Sequence, residues 1–128
     1  MSEPVIAREV AEAEVKKWIE ILGSDQPDEV VTEALMEGRI VFDEKAETFL
    51  MSLRSPIALD NGSTIRDLRL AEPTALQLKD ASKATKEEME ITIRLLAYVS
   101  GIEGGVGVMQ RLKQRDLLLA GALLGFFA

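Results

Sequence analysis

Four glycines in the segment "GIEGGVG" are the first residues whose spacing suggests chemistry, because glycine-rich loops can bind phosphate. They occupy positions 101, 104, 105 and 107. A phosphate-binding loop follows a strand and carries either G-x-G-x-x-G or a Gly-Lys-Ser/Thr ending. The sequence around these glycines has neither ending and no strand pattern before it. We therefore expect a flexible link between helices rather than a nucleotide site.

Carboxylates are the second group that could do chemistry. The segment Asp60-Asn61-Gly62 resembles part of a calcium loop, but the other ligand positions and the closing Glu are missing. Pairs such as Glu87 and Glu88 are expected by chance among 22 acidic residues and fit a solvated surface. His and Cys are absent, which removes the commonest general base and all thiol chemistry. We expect no catalytic residue, no metal site and no cofactor.

Asp116 is the exception among the acids, because a continuous last helix would place it on an apolar stripe with Leu112 and Leu119. Burying an unpaired carboxylate costs several kcal/mol, so this side chain needs a partner. It could cap a break in the helix and accept from the amides of Leu118 or Leu119. It could instead pair with an arginine such as Arg94. Either solution predicts a structural role.

Length and charge limit the class of protein. The 128 residues suit a single domain, and the net charge is −7. Residues 1–50 carry 13 acids and 5 bases, whereas residues 51–128 carry 9 acids and 10 bases. Such a charge distribution disfavours nucleic-acid binding. The start "MSEPVIAREV" has no pattern of a secretion signal, and the lack of Cys fits a reducing cytoplasm.

The apolar end of the chain, "LLLAGALLGFFA" at 117–128, has no polar side chain. A membrane span needs about 20 apolar residues, so we expect no membrane insertion. The segment is then buried in its own core, in copies of itself or in another protein. We favour the core for Leu119 and Leu123, and an external contact for Phe126 and Phe127, because chain ends are seldom deeply buried. The predicted partner-binding or self-association residues are Met109, Leu112, Leu117, Leu119, Leu123, Leu124, Phe126 and Phe127.

The elements that position these residues follow from periodicity. Residues 4–22 have a helical apolar stripe that ends at Gly23, and a shorter helix runs from Pro27 to Gly38. The inward positions predicted for the two helices are Ala11, Val15, Trp18, Ile19 and Leu22, and then Val30, Ala34 and Leu35.

Strand patterns come next. Residues 39–43 and 47–53 flank a short turn and predict a hairpin. Asn61-Gly62 predicts a second hairpin between strands at 56–59 and 64–70, with a bulge between residues 65 and 68.

The remaining chain is predicted to be helical. Thr74 caps a short helix at 75–81, and Thr85 and Glu88 form a capping box that opens a helix ending near Ser100. Two apolar faces on that helix, one with Ile91, Leu95, Tyr98 and Val99 and one with Met89, Ile93 and Leu96, predict neighbours on both sides. The last helix runs from Val108 or Met109 to about Phe127. The fold class is α+β: a small antiparallel sheet of hairpins at about 39–70, N-terminal helices, and a C-terminal bundle of two longer helices.

The order of segments from Ser55 onward resembles the tail assembly chaperones of long-tailed bacteriophages. "SPIALDNGSTIRDLRLAEPTALQL" is similar to the family's opening, with a "PI" strand, a Gly turn, a "TI-x-x-L-x-L" strand and "EPT" before a helix. "LLAYVSGI" is similar to the family segment "L-[IL]-A-x-x-[ST]-G-[IL]". The pattern closes with Leu112, Asp116 and Phe126-Phe127. Residues 1–50 do not match that pattern.

The resemblance implies a protein without enzymatic activity that acts in the host cytoplasm. Its partners would be the tape measure protein, which it keeps soluble, the tail tube protein, which polymerises around the tape measure, and other copies of itself in rings or spirals. The resemblance also implies absence from the mature virion, and often a longer form made by ribosomal frameshifting. Gly125-Phe126-Phe127 can be encoded by a run of uridines on which a ribosome slips.

Three other functions compete with this one. The chain could be a structural adaptor that remains in the phage particle, a peripheral membrane protein anchored by its last helix, or an enzyme that uses carboxylates. The missing His and Cys argue against the last of these.

Overall fold

The structure is a computed structural model that describes residues 6–23, 29–102 and 105–127. The described residues form six α-helices and one antiparallel sheet of three strands, which confirms the predicted α+β class. In chain order the elements are α1 Arg8–Leu22, α2 Glu29–Met36, β1 Ile40–Asp43, β2 Thr48–Ala58, β3 Thr64–Leu70, α3 Ala75–Ala84, α4 Glu88–Ser100, α5 Gly105–Met109, α6 Gln114–Leu124 and a final 3-10 turn, Gly125–Phe127.

Helix α1 buries the stripe that its periodicity predicts. Ala11, Val15 and Trp18 are buried, and the helix ends at Gly23, which has a φ of 73°. Only glycine adopts such a left-handed conformation without a steric penalty. The Gly23 amide donates to the carbonyl of Ile19 at 2.8 Å and completes the cap.

Helix α2 buries two of the three inward residues predicted for it, Ala34 and Leu35, and the prediction for Val30 is wrong. Val30 is 39% exposed, whereas Val31, Ala34 and Leu35 are buried. These three occupy the i, i+3 and i+4 positions of one face, so the inward stripe begins one residue later than expected. The predicted helix start at Pro27 lies outside the described residues.

The sheet has the order β1-β2-β3. The two strands predicted at 47–53 and 56–59 are one continuous strand, β2, of 11 residues. Its pairing with β3 changes register between Ser52, which pairs with Asp67, and Ile57, which pairs with Ile65. Over that stretch β2 advances five residues and β3 advances two. The predicted irregularity is therefore present, with the additional residues on β2.

The two hairpin turns lie where the sequence places them. In the first, the Asp43 carboxylate accepts from the amides of Lys45 and Ala46, and Glu47 adopts a φ of 52°. In the second, Gly62 has a φ of 89°, and the Asn61 side-chain oxygen accepts from the Ser63 amide at 3.0 Å. Polar side chains that accept from the backbone two residues on are typical of such turns.

A capping box is present at α3 and not at α4. Thr74 Oγ1 accepts from the Gln77 amide at 3.1 Å, and Gln77 Oε1 accepts from the Thr74 amide at 2.9 Å. The box predicted for Thr85 and Glu88 is wrong. Because α3 continues to Ala84, Thr85 is its C-cap, and its hydroxyl accepts from the Glu87 amide at 3.2 Å.

The last helix is interrupted, contrary to the prediction of one helix from Val108 or Met109 to Phe127. Helix α5 ends at Met109, and α6 begins at Gln114 after Lys113, which has the extended angles φ −72° and ψ 156°. The predicted bundle of two longer helices is thus formed by three helices, α4, α5 and α6. On α4, Leu96 and Val99 are buried as expected. Met89, in the first turn of α4, is 65% exposed and does not join the inner faces.

Candidate functional site

The apolar end of the chain forms part of the protein's own core. Leu119, Leu123 and Phe126 are buried, and so are Met109 and Leu124. The partly buried side chains Leu112, Leu117 and Phe127 pack against the same cluster. Most of the side chains predicted to contact partners therefore do not form an exposed surface in this structure.

The expectation that Phe126 lies outside the core is wrong. Its ring centroid is 6.1 Å from that of Trp18 and 5.6 Å from that of Phe49, and Phe127 lies 5.8 Å from Phe49. The 3-10 turn brings the last aromatic residues back toward α1 and the sheet. Aromatic pairs at these distances add about 0.5–1.5 kcal/mol to the free energy of burial, which explains why the chain end is drawn inward.

A groove between α2 and α6 remains open to solvent. Its most exposed apolar side chain is Leu118, which is 54% exposed on the outer side of α6. The cavity volume is about 260 Å³. The lining residues are Val30, Glu33, Ala34 and Glu37 from α2 and the turn after it, Arg39, Arg54 from β2, and Arg115, Leu118 and Leu119 from α6.

Asp116 lies directly beside this groove and is 0% exposed. One carboxylate oxygen accepts from Arg39 Nη2 at 2.9 Å and from the Arg54 amide at 2.8 Å. The other oxygen accepts from the Ser55 amide at 2.9 Å. These three charge-assisted hydrogen bonds compensate for the loss of water around the carboxylate.

The irregular register of β2 explains how two backbone amides reach one carboxylate. Arg54 and Ser55 lie in the stretch of β2 where pairing with β3 changes register. Their amides are directed to Asp116 instead of to the β3 backbone. Asp116 also occupies the first turn of α6, where the helix dipole favours a negative charge. The irregular stretch of β2 thus supplies two donors to Asp116, and the break before α6 places Asp116 in the first turn of a helix.

The partners predicted for Asp116 from the sequence, Arg94 or the amides at the start of the helix, are wrong. Arg94 pairs instead with Glu90 at 3.3 Å on its own helix. The N-cap of α6 is Lys113, and the Asp116 oxygens accept from β2 rather than from the amides of Leu118 or Leu119. Arg39, the residue found, is 77 positions away, and no short-range signal in the sequence connects the two.

Charges of both signs surround the opening of the groove. Glu37 lies 3.8 Å from Arg39 and 3.3 Å from Arg54, and it extends the network that begins at Asp116. Glu33 and Arg115, on opposite walls, make no ion pair with any residue in the described ranges. Glu33 is nevertheless engaged: after the hydrogen bond and charge of Glu29, its negative charge also helps to raise the pKa of Arg8 on α1.

The other residues singled out from the sequence lie away from the groove. Asn61 and Gly62 form the β2–β3 turn, Thr85 is the C-cap of α3, and Glu88 is the first residue of α4. Between residues 6 and 127, with the two undescribed gaps set aside, no helix is long and apolar enough to span a bilayer.

The sequence was compared with models of known protein families, with curated proteins and with solved structures. The model of the family described as "Phage tail assembly chaperone proteins, E, or 41 or 14" matches residues 50–128. Comparisons with curated proteins and with solved structures give no significant match. The family match includes β3, α3–α6 and nearly all of β2, and it leaves α1, α2 and β1 outside. Because it covers more than half of the chain, this protein belongs to the phage tail assembly chaperone family.

Proposed function

We propose that this chaperone binds the tape measure protein of its phage, keeps it soluble, and helps to recruit tail tube subunits around it. The observation that carries the proposal is the family match over residues 50–128. Binding of this kind makes and breaks no covalent bond, so it uses no catalytic residue and no cofactor. The chaperone acts in the host cytoplasm, associates with copies of itself, and is absent from the mature virion.

Exposed apolar side chains supply the surface that such binding requires. Among the residues that the structure describes, nine large hydrophobic residues are exposed: Val10, Ile21, Val30, Val41, Leu50, Leu76, Leu78, Met89 and Leu118. Clusters of exposed apolar residues mark sites of protein interaction. They lie in different parts of the fold: Leu118 borders the groove, Leu76 and Leu78 lie on α3, and Val41 pairs with Leu50 on the outer sheet face.

The acidic N-terminal part of the chain, residues 1–50, supports the same role. Residues 1–50 contain 13 acids, most of them on surface positions of α1 and α2 or in the turn after β1 among the described residues. A net charge far from zero keeps a complex soluble while its apolar surfaces are engaged. An acidic coat around a bound apolar segment would prevent that segment from aggregating.

Coexpression with the tape measure protein of the same phage tests this proposal. We expect the tape measure to be insoluble alone and soluble, in a complex, when the chaperone is present. A surface variant that combines Leu76→Asp and Leu118→Asp should solubilise less of it, whereas Glu20→Gln, a change on exposed α1 surface, should have no effect. A tape measure that is equally insoluble with and without the chaperone would refute the proposal.

Mass spectrometry of purified virions separates the chaperone from a structural adaptor. A chaperone that leaves the complex before maturation should be missing from the particle. Stoichiometric amounts in the virion would favour the adaptor, and flotation of the purified chain with liposomes would favour a peripheral membrane protein.

A further inference from the structure

We propose that the segment from α1 to β1 acts as an intramolecular subunit that the rest of the chain requires in order to fold. We call this segment the N-terminal unit, and the segment from β2 to the final 3-10 turn the C-terminal unit. The C-terminal unit contains nearly all of the residues that match the family, whereas the N-terminal unit lies outside the match. The proposal gives the N-terminal unit a role of its own: it covers the apolar end of the chain and compensates the charge of Asp116.

Aromatic contacts join the end of the C-terminal unit to the N-terminal unit. The ring centroid of Trp18, on α1, lies 5.2 Å from that of Phe49 and 6.1 Å from that of Phe126. The ring centroid of Phe42, on β1, lies 4.8 Å from that of Phe49. Trp18, Phe49 and Phe126 are each at most 2% exposed. Because the buried rings come from both units, neither unit can keep its own rings away from water by itself.

The aliphatic side chains form one core across the two units. Val15 on α1 and Val31 on α2 belong to the same buried cluster as Leu119 and Leu123 on α6. Helix α2 packs against α6, and β1 pairs with β2 over the whole length of β1. A contiguous cluster of buried side chains is typical of one cooperative folding unit. Separation of the two units would therefore expose apolar surface on both of them.

Hydrogen bonds at Arg39 fix the N-terminal unit to the C-terminal unit. Besides its contact with Asp116, Arg39 Nη2 donates to the Ser52 carbonyl at 3.1 Å, and the Ser52 amide donates to the Arg39 carbonyl at 2.8 Å. Without Arg39, the fully buried Asp116 carboxylate would keep two backbone amides as donors and lose its cation. Loss of one member of a buried ion pair is strongly destabilising. The C-terminal unit thus depends on the N-terminal unit for the partner of its buried charge.

The chain has one tryptophan and one tyrosine, and each reports on a different unit. Trp18 lies on α1 and Tyr98 on α4. In urea denaturation of the intact wild-type chain, Trp18 fluorescence and the NMR signals of the Tyr98 ring should give the same midpoint. Coincident transitions from different probes are the mark of cooperative unfolding. Two different midpoints would overturn the proposal, because one unit would then remain folded without the other.

Cleavage within the β1–β2 turn tests the same dependence in the native protein. A protease site inserted between Lys45 and Ala46 lies in an exposed turn, so cleavage of the folded chain leaves both units complete. The two fragments should elute together in gel filtration and separate only under denaturing conditions. Elution of the C-terminal fragment alone, with the circular dichroism of a folded protein, would show that the N-terminal unit is dispensable.

Substitutions in the cleaved protein identify the contacts that hold the units together. Arg39→Ala should raise the dissociation constant of the two fragments by about a hundredfold or more, because it leaves the Asp116 charge without its cation. Trp18→Ala should weaken the association to a similar extent, since it removes the ring that packs on Phe49 and Phe126. Glu20→Gln, on the exposed surface of α1, is the matched control and should change the constant by less than about twofold.

Fragments of the Arg39→Ala and Trp18→Ala proteins that associate as tightly as those of the control would contradict the proposal. The comparison of midpoints in the wild-type chain does not depend on these variants, so it remains decisive if either variant fails to fold. Neither experiment uses the tape measure protein. Their outcome therefore leaves the proposed function untouched.

Discussion

Arg39 Nη2 lies 2.9 Å from Asp116 Oδ1, a contact that joins the segment after α2 to the first turn of α6. The carboxylate is 0% exposed, and the Arg39 side chain is 16% exposed. Removing one member of a buried ion pair leaves the other charge without compensation. This contact connects the part of the chain outside the family match to the part within it.

The first prediction concerns this pair. Asp116→Ala should lower the free energy of unfolding by about 3–5 kcal/mol, because Arg39 and the amides of Arg54 and Ser55 lose their acceptor. Asp116→Asn should lose less, since its side-chain oxygen still accepts a hydrogen bond. Urea denaturation gives the values, with Asp80→Ala, an exposed position on α3, as the control within about 0.5 kcal/mol. A loss below about 1 kcal/mol for Asp116→Ala would contradict the buried network.

The second prediction concerns the chain end. Phe126→Ala should destabilise the fold by about 3–5 kcal/mol, because it leaves a cavity beside Trp18 and Phe49. Trp18 is the only tryptophan, so its fluorescence should shift to the red in the variant. Leu118→Ala is the control on the same segment and should change stability by less than about 0.5 kcal/mol. Equal effects of the two substitutions would mean that Phe126 is not in the core.

The third prediction uses a glycine inside α6. A Cβ added at Gly121 would meet Thr92 Cγ2 at 3.6 Å, which is an ordinary van der Waals contact. Gly121→Ala should therefore stabilise the protein by about 0.4–1 kcal/mol, because alanine restricts the unfolded chain. Gly62→Ala should do the opposite, since Gly62 has a φ of +89° that alanine adopts only with strain. Thermal unfolding of both variants checks the sign, and a destabilised Gly121→Ala would contradict the space for a Cβ between α6 and Thr92 on α4.

The fourth prediction concerns Thr74, the N-cap of helix α3. Thr74→Ala should cost about 1 kcal/mol, because it removes the acceptor of the Gln77 amide at the N-cap. Thr74→Ser keeps that hydroxyl and should retain most of the stability. Ser82→Ala, on the exposed surface of α3, serves as the control. If Thr74→Ala is as stable as Ser82→Ala in chemical denaturation, the capping box does not contribute.

The fifth prediction concerns the ion pair between Lys17 and Glu44, which connects α1 to the turn after β1. The hydrogen bond to Glu44, and then its negative charge, raise the pKa of the Lys17 ammonium. A raised pKa in the folded state means that the pair stabilises the protein fully below the lysine pKa of the unfolded chain. Its contribution is lost as pH rises through the higher folded value.

NMR titration of the lysine side chains measures this effect. In Glu44→Gln the Lys17 midpoint should fall toward the ordinary lysine range. Glu20→Gln, an exposed change on α1 that is not among the groups raising the Lys17 pKa, should leave the midpoint unchanged. A midpoint that is identical in the wild-type protein and in Glu44→Gln would contradict the contact.

The sequence pattern alone was sufficient to predict elements that depend on residues close together in the chain. The stripe of Ala11, Val15 and Trp18 predicts the buried face of α1, because helical periodicity needs no distant partner. The turn at Asn61-Gly62 is likewise specified by its own residues. The prediction was wrong where one residue could either end one helix or begin the next. The segment from Thr85 to Glu88 matches the sequence pattern of a capping box. Because α3 extends to Ala84, Thr85 is instead the C-cap of α3.

The sequence by itself determined the α+β class, the two hairpins and the need of a buried Asp116 for a compensating partner. Tertiary structure decided that the partner is Arg39, that the last helix breaks before Gln114, and that Phe126 turns inward. It also decided that Leu118 remains exposed on α6, beside the groove, while its neighbour Leu119 is buried. The physical reason is that charge compensation and aromatic packing join residues far apart in the chain, whereas periodicity and turn chemistry act over only a few residues.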